Sequence, residues 1–417
     1  MNKPAIVIAS YNRPDATQRL LDSLAKADYS GYDNIDLIIS IDGCKDLSDP
    51  ASAKKSEDVL KTATEFNWAY GQKRIIEHPN NLGLKLHILS CGDLTGEYGS
   101  IILLEDDVIV SPYFYDYAVK ALRFYSNENK IAQISLYNYR HCESANLPFS
   151  PINNGYDTYF MQVPSSWGEI WTAQQWSGFR LWLKDATDLT PADKLPEYVK
   201  NWGAKSWKKW FYKYMVDEDL YTVYPYLALS SNWGDAGEHL PVAINSLQVE
   251  LQLFKKKSYN FCTFDKSLVC YDAYYDICLE TLWKIGIMPH EDYVIDLMGT
   301  KQLSLFDQPH WFTIKKCNNA IRNYPLLLLP LERNLSVSSD KNGPIRFAEK
   351  NNLSNEISEN SRNAIHQLTS IHTYWYVTAE VERNTINAMR NTLEFRLGTA
   401  LLRPYRKIKK IINRIIN

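Results

Sequence analysis

Residues 100–110, SIILLEDDVIV, place three acids, Glu105, Asp106 and Asp107, between two apolar runs. Two neighbouring carboxylates repel each other, and the pKa of one of them rises unless a cation lies close by. A divalent metal removes this conflict, because Mg²⁺ and Mn²⁺ take one or two carboxylates and complete their shell with waters and substrate phosphates. The acids therefore indicate a metal-bound phosphate ligand. The alternative is a solvated acidic turn ahead of a helix capped at Ser111 and Pro112.

The residues before this stretch alternate between strand and helix patterns. Apolar runs predict strands at 4–9, 35–41, 74–77 and 101–104. Helices are predicted from Pro14, over 51–70 and over 84–94. This alternation predicts an α/β fold with a mostly parallel sheet and helices on both faces. Because ligands of such sheets bind beyond the carboxyl ends of the strands, we expect Asn12, Asp42 and the three acids to gather along one edge.

The composition is that of an ordinary soluble protein. The 417 residues are 45% hydrophobic and 23% charged, and the net charge is -2, which gives no reason to expect a nucleic-acid partner. Seven Cys without a C-x-x-C motif predict neither a zinc site nor a disulfide framework. The 12 Trp and 28 Tyr are typical of core, but such density also suits a site that holds the flat faces of sugars.

No targeting segment is recognisable in the sequence. The first residues, MNKPAIVIASYNRP, turn polar too soon for a signal peptide. No run approaches the roughly 18 apolar residues that a membrane span needs. We therefore expect a cytoplasmic protein.

Six segments occur in a specific order along the chain, namely IVIASYNRP (6–14), ISIDG (39–43), NNLGL (80–84), LLEDDVIVSPYF (103–114), SSWGEIWTAQQW (165–176) and SNWGDAGEHL (231–240). Together they resemble the motifs of the GT-A glycosyltransferases. The resemblance is to bacterial family-2-like enzymes, with an E-D-D similar to that of the N-acetylglucosaminyltransferase I group, and it covers roughly residues 4 to 250.

This resemblance implies a GT-A (Rossmann-like) fold and transfer of a sugar from a nucleoside-diphosphate sugar, foremost a UDP-sugar. The acceptor would be a hydroxyl of a glycan or a lipid-linked molecule, in bacterial surface polysaccharide synthesis. Mn²⁺ or Mg²⁺ would be held by Asp107 and His239, although a lone histidine is also typical of a structural role. The donor-binding residues would be Ser10, Tyr11, Asn12 and Arg13 around the nucleoside, Asp42 at the base or ribose, Glu105, and Asp106 at the ribose or a metal-bound water.

Inverting transfer, which we expect, also needs a base within about 3 Å of the acceptor hydroxyl. Glu169 is one candidate, and the cluster Asp217, Glu218 and Asp219 is the other. The stretch SWKKWFYKYMVDEDL (206–220) departs from the acidic pattern of related enzymes, with Lys208 and Lys209 in its place. Glu169 is equally compatible with a helix cap and the cluster with a solvated face, and the residues do not exclude retention of configuration.

The sequence predicts four regions, which are a GT-A catalytic domain (1–250), an extension packed on it (251–335), a flexible polar linker (336–362) and a helical tail (363–417). The tail ends in a basic amphipathic pattern, with an isoleucine stripe from Ile408 to Ile416 among Lys and Arg. Such a helix is typical of peripheral binding to an anionic membrane surface, here the inner face of the cytoplasmic membrane. The alternative is docking on its own domain or on a dimer partner.

Two other protein classes remain as alternatives. One is a non-catalytic protein of the same fold that binds a sugar nucleotide or a glycan. The other is a nucleotidyltransferase, whose related fold needs a glycine-rich phosphate loop after the first strand. The segment ASYNRP (9–14) has no glycine there.

Overall fold

The computed structural model describes residues 3–235, 247–287 and 291–369 and positions 386, 389 and 392. The strands are β1 (Ala5–Ser10), β2 (Leu37–Ile41), β3 (Lys73–Glu77), β4 (Ser100–Glu105), β5 (Val108–Val110), β6 (Ile131–Ser135), β7 (His141–Cys142), β8 (Leu147–Pro148), β9 (Thr158–Met161), β10 (Glu169–Thr172), β11 (Tyr221–Pro225), β12 (Ser230–Asn232), β13 (Cys270–Tyr271), β14 (Val294–Asp296), β15 (His310–Thr313), β16 (Lys315–Cys317), β17 (Arg322–Tyr324), β18 (Ile345–Glu349) and β19 (Leu353–Ile357). The α-helices are α1 (Pro14–Ala25), α2 (Pro50–Glu65), α3 (Gly83–Asp93), α4 (Thr95–Tyr98), α5 (Phe114–Tyr125), α6 (Ala173–Asp185), α7 (Glu197–Lys200), α8 (Trp207–Asp217), α9 (Leu279–Lys284) and α10 (Glu359–Thr369). Short 3-10 helices span Leu303–Leu305, Leu331–Ser336 and Lys350–Asn352.

The main sheet has nine strands in the order β13-β9-β11-β6-β10-β4-β1-β2-β3. Strands β1 to β4, β6 and β11 run in one direction, and β9, β10 and β13 run in the other. The register pairs Ser10 with Ile41 and Ala9 with Glu105, so the carboxyl ends of β1, β2 and β4 lie side by side. The predicted α/β class with a mostly parallel sheet is confirmed.

Helices cover both faces of this sheet because the buried strand residues alternate between two cores. One core joins Ile6, Ile39 and Leu104 to helices α1, α2 and α5. The other joins Val7, Ile38 and Leu103 to helices α3, α6 and α8 and is rich in Trp and Phe. Because the central strands are covered on both faces, nearly all of their residues are apolar. These continuous apolar runs made the strands predictable from sequence.

Local signals set the helix boundaries near the site. Helix α1 begins at Pro14, a favourable first position, and buries Leu20, Leu21 and Leu24. Helix α2 is capped by Asp49, whose carboxylate accepts the backbone N–H groups of Ala51 and Ser52. It ends at Glu65, earlier than the predicted 70, because the chain turns back and the Trp68 indole donates to the Ile35 carbonyl (2.7 Å).

Two predicted regions differ from the structure. Strand β13 lies beyond residue 250 and yet belongs to the main sheet, where it pairs with β9. Residues 336–362 contain β18 and β19 rather than a flexible linker, since β18 pairs antiparallel with β15 and β17. The few apolar residues of this stretch, such as Ile345 and Ala348, are buried, so a segment of low overall hydrophobicity still forms a strand.

The protein forms two compact units, Met1–Arg362 and Asn363–Asn417. The predicted amphipathic helix near the C-terminus, 400–417, lies outside the described residues. Among the residues that the structure describes, no helix is both long enough and apolar enough to cross a membrane.

Candidate functional site

The three acids lie at the carboxyl edge of the main sheet. Glu105 ends β4, and Asp106 and Asp107 form the turn to β5. Strand β5 pairs antiparallel with β12, and just beyond this pair the backbone N–H of Trp233 donates to the Asp107 carbonyl (2.8 Å). The acidic motif and the SNWG segment are therefore adjacent in space, although more than 120 residues separate them.

Arg13, which follows β1, is the cation nearest to the turn. Its guanidinium donates to the carboxylate of Asp106 and, over 3.2 Å, to that of Asp107. Asp106 is only 3% exposed, so the acids do not form a solvated turn. Burial opposes the charge of Arg13, but the pKa of Arg13 is raised because Asp106 and Asp107 favour its charged form.

Burial and mutual repulsion shift the titration of these acids. Burial raises the pKa of Glu105 to about 8, with a further contribution from Asp107, while Arg13 opposes the shift. Burial likewise raises the pKa of Asp106 to about 6 against the opposing charge of Arg13. Positive charge added at this edge would favour ionisation of both groups.

One oxygen at this edge has the environment of a metal ligand. Asp107 Oδ1 is buried and has no hydrogen-bond partner among the described residues. The described part of the chain contains no group of three or more His, Cys, Asp or Glu side chains arranged around a metal position. The unpartnered Asp107 oxygen fits a metal such as Mn²⁺ or Mg²⁺, which takes one or two protein carboxylates while waters and phosphates complete its shell. His239, the other predicted ligand, lies outside the described residues.

The predicted donor-binding residues divide into two groups. Tyr11, Asn12 and Arg13 follow β1 at the edge, and the backbone of Tyr11 hydrogen-bonds to Asp106. Ser10 is buried, and its hydroxyl bonds to that of Thr17 (2.6 Å). Ser10 thus fixes the start of α1 and is not placed to contact a ligand.

Asp42 ends β2 at the same edge but uses its carboxylate internally. Its two oxygens accept the backbone N–H groups of Gly43 (2.9 Å), Leu82 (2.7 Å) and Gly83 (3.0 Å) and the side-chain amide of Asn81 (3.1 Å). Only 3% of Asp42 is exposed. In this arrangement Asp42 shapes the NNLG loop and the start of α3, and its contact to a base or ribose stays a prediction.

Glu169 reaches the site because β10 runs antiparallel between β4 and β6. It begins β10 opposite Leu103, so its side chain shares the face of Leu103 and Glu105. Glu169 is fully buried, and its Oε2 accepts the Gly168 N–H (2.9 Å), whereas Oε1 has no partner among the described residues. Burial, and then the charge of Glu105, raise its pKa well above the ordinary value.

Gly168 holds this segment in place. Its φ of +97° lies in the left-handed region, and a Cβ there would lie 2.8 Å from the Ser230 hydroxyl. The Ser230 hydroxyl in turn donates to the Trp167 carbonyl (2.5 Å). The W-G pair is therefore needed to pack β10 closely against the chain entering β12.

Asp217 and Glu218 are not brought to the site. They end α8 just before β11, and β11 runs parallel to β6. Residues that precede a parallel strand lie at its amino edge, about 16 Å of strand from the carboxyl edge. Asp217 instead bonds to Lys213 (3.1 Å), and Asp219 bonds to Lys130 and Gln162.

Lys208 is the site residue that sequence reasoning missed, since it appeared only as a departure from the expected pattern. It lies in the first turn of α8, and its ammonium donates to the Tyr139 hydroxyl (2.8 Å) and lies 3.8 Å from Glu143. The rings of Tyr139, Trp167 and Trp202 surround it at 5.5 to 5.6 Å. Its charge favours the ionised forms of Glu105 and Glu169 and so lowers their pKa values. This role of Lys208 depends on the position of α8 over the sheet, and that position cannot be predicted from the local sequence.

No protein-family model matches the chain, and no curated protein sequence matches it. Solved structures similar to it include the mannosyltransferase PcManGT from Pyrobaculum calidifontis in complex with GDP-Man and Mn²⁺, at 11% identity over 46% of this chain and 49% of that one, with a TM-score of 0.28. S. aureus TarS is similar at 13% identity over 55% of this chain and 36% of that one, with a TM-score of 0.30. TarS 1-349 in complex with UDP-GlcNAc is similar at 10% identity over 58% and 62%, with a TM-score of 0.34. The chain thus spans less than two thirds of each, and similarity at these TM-scores supports no inference about activity.

Proposed function

We propose that the protein is a metal-dependent glycosyltransferase of the GT-A type. It would move a sugar from a nucleoside-diphosphate sugar, foremost a UDP-sugar, to a hydroxyl of a glycan or a lipid-linked acceptor, with inversion, in bacterial surface polysaccharide synthesis. The observation that carries the proposal is the charge balance at the carboxyl edge. Four carboxylates, those of Glu105, Asp106, Asp107 and Glu169, face two cations, Arg13 and Lys208. Glu143 also lies 3.8 Å from Lys208, so carboxylates outnumber cations at this edge, and a divalent cation bound here would favour their ionised forms.

Asp107 would hold the metal through its unbonded Oδ1, with His239 as the second proposed ligand. Mn²⁺ or Mg²⁺ held there would supply the positive charge that offsets the negative charge growing on the leaving diphosphate. Asp106 is fixed by Arg13 and the Tyr11 backbone, so it would orient the ribose or a water. Arg13 would favour the ionised form of Asp106 and an anionic ligand beside it. Tyr11 and Asn12 would line the nucleoside pocket, and Asp42 would shape its rim.

Glu169 is the remaining candidate for the base, because it alone among the proposed bases lies at this edge. Burial, and then the charge of Glu105, raise the pKa of its carboxyl well above the ordinary value and so favour its protonated form. Lys208 and a bound metal would both shift it toward the ionised form that can accept the proton of an acceptor hydroxyl. Because the carboxyl is fully buried in the described structure, acceptor binding would have to open the groups that cover it.

One observation favours a second candidate, a non-catalytic protein that binds a sugar nucleotide or a glycan. Arg13 already pairs with both Asp106 and Asp107, so these acids have a counter-charge without a metal. A protein of this kind would bind the nucleotide whether or not metal was present and would not cleave the donor.

Cleavage of the sugar donor distinguishes the glycosyltransferase from the non-catalytic binding protein. We expect the protein to hydrolyse or transfer sugar from a UDP- or GDP-sugar only with Mn²⁺ or Mg²⁺, measured by release of the nucleoside diphosphate. Replacing Glu169→Gln should lower the transfer rate by about 10² to 10⁴-fold while donor affinity is kept. The matched control is Asp217→Asn at the opposite edge, which should leave the rate unchanged. A Glu169→Gln protein with the full rate would remove Glu169 as the base, and no cleavage of any donor with either metal would favour the binding protein.

A further inference from the structure

Three consecutive leucines are exposed in the second half of the chain. The exposed fractions are 72% for Leu327, 40% for Leu328 and 44% for Leu329, whereas the flanking Leu326 and Leu331 are buried. We call residues 325–330 the leucine loop. In the described residues no other three consecutive large hydrophobic side chains are exposed. A contiguous exposed apolar patch of this kind marks a surface that contacts a partner or a membrane.

The loop is held in a fixed shape by one buried side chain. Asn334 is 0% exposed, and its Oδ1 accepts the N–H groups of Leu327 (2.7 Å) and Leu328 (2.9 Å). Its Nδ2 donates to the carbonyls of Leu328 (2.9 Å) and Leu331 (2.8 Å). These bonds satisfy backbone groups at the tip of the loop. The leucine side chains can therefore enter an apolar medium without leaving those groups unpaired, a requirement that lipid imposes strictly.

The charges beside the loop are mainly positive. Arg322 begins β17, the strand that leads into the leucine loop. Arg333 lies in the turn that follows the loop, and both arginines are exposed. Lys341 is also exposed and lies against β17, because its carbonyl accepts the side-chain amide of Asn323 (3.0 Å). One exposed acid, Asp340, lies among these three cations, and the nearby Glu332 is buried. Among the described residues none of the three cations forms a salt bridge.

We propose that the leucine loop is a docking site for an anionic phospholipid surface, with Leu327, Leu328 and Leu329 inserted at the headgroup boundary and Arg322, Arg333 and Lys341 at the phosphates. Peripheral membrane attachment combines apolar side chains that insert into the lipid with basic residues that contact anionic headgroups. Here a short rigid loop supplies both features. This inference does not depend on the proposed transfer activity. It is also separate from the C-terminal segment 400–417.

Vesicle sedimentation with the full-length protein tests the proposal. We expect the protein to bind vesicles of phosphatidylcholine with phosphatidylglycerol more tightly than vesicles of phosphatidylcholine alone. The double variant Leu327→Asp/Leu328→Asp should bind the anionic vesicles at least tenfold more weakly. The matched control is Leu181→Asp/Leu253→Asp, at two leucines that are 64% and 71% exposed elsewhere, and it should bind like the unchanged protein. Arg333→Gln should weaken anionic binding by about fivefold.

Every variant keeps residues 400–417, so a loss of binding reports on the loop. Equal vesicle binding by the loop variant and its control would overturn the proposal, as would no binding by the unchanged protein. Light scattering of the same proteins provides a second contradicting result. If the unchanged protein is a dimer that the loop variant converts to a monomer, while vesicle binding is unaffected, the leucines form an interface between two copies of the chain.

Discussion

At the scale of residues, the acids of the site differ in how they meet their counter-charges. Asp106 and Asp107 pair directly with Arg13, whereas Glu105 is influenced at a distance by Arg13 and then by Lys208, and Glu169 by Lys208. Strand alternation explains the division, because Glu105 shares the face of Leu103, and the two aspartates follow after the strand has ended. Glu105, Asp106 and Asp107 are adjacent in the sequence, yet each therefore lies in different surroundings.

Glu332 illustrates the cost of burying a carboxyl that is only partly hydrogen-bonded, here to Tyr271. It is 3% exposed, its Oε2 has no partner among the described residues, and burial raises its pKa to about 7. Because the pKa is higher in the folded than in the unfolded state, this group lowers the free energy of unfolding progressively as pH rises from about 4.5 to 7.

Glu332→Gln should therefore stabilise the protein at pH 8 by about 3 kcal/mol relative to its effect at pH 5. Urea unfolding at the two pH values measures the difference. The control is Glu349→Gln at an exposed position, which should show no such pH dependence. A Glu332→Gln effect that is the same at both pH values would contradict the raised pKa.

At the scale of elements, the packing of α3 against α6 depends on a glycine. A Cβ at Gly92 would lie 2.1 Å from the Trp176 ring, which is buried in the Trp-rich core beneath the site. Gly96, in the neighbouring α4, has nothing within 4 Å of its Cβ position. The two positions thus form a matched pair for the same substitution.

Gly92→Ala should lower the free energy of unfolding by about 3 kcal/mol, because α3 and Trp176 must move apart. Gly96→Ala should change it by about 1 kcal/mol or less, in the stabilising direction, since alanine is the better helix former. Thermal or urea unfolding of the two variants gives the comparison. Equal effects would mean that α3 and α6 do not approach as closely as described.

The sequence predicts elements well where the signal is local. Strands β1 to β4, helix α3 and the start of helix α1 were each predicted within about two residues, because apolar periodicity and Pro14 mark them directly. It does not predict that β10 enters between β4 and β6, nor that α8 places Lys208 at one edge and Asp217 at the other. These positions follow from pairings between distant segments, and the short strands β18 and β19 carry too few apolar residues to reveal themselves.

At the scale of the whole molecule, one sheet edge collects residues from five distant parts of the chain. Arg13, the acids 105–107, Glu169, Lys208 and Trp233 each follow or begin a different element, and strand order together with helix packing brings them to this edge. The candidate site could therefore be located from sequence by the strand-end rule, through Arg13 and the acids. The charge balance of the site could not be predicted from sequence, because Glu169 reaches the site only through an antiparallel strand pairing and Lys208 only through helix packing.

We propose that this edge binds a nucleoside diphosphate through a divalent metal at Asp107. Calorimetric titration of UDP and GDP, each with and without Mn²⁺, tests it most directly, on the unchanged protein, on Asp107→Asn and on the control Asp93→Asn at the end of α3. We expect one nucleotide to bind at least tenfold more tightly with Mn²⁺, and Asp107→Asn alone to abolish that gain. Equal affinity with and without metal, or no binding of either nucleotide, would contradict the claim.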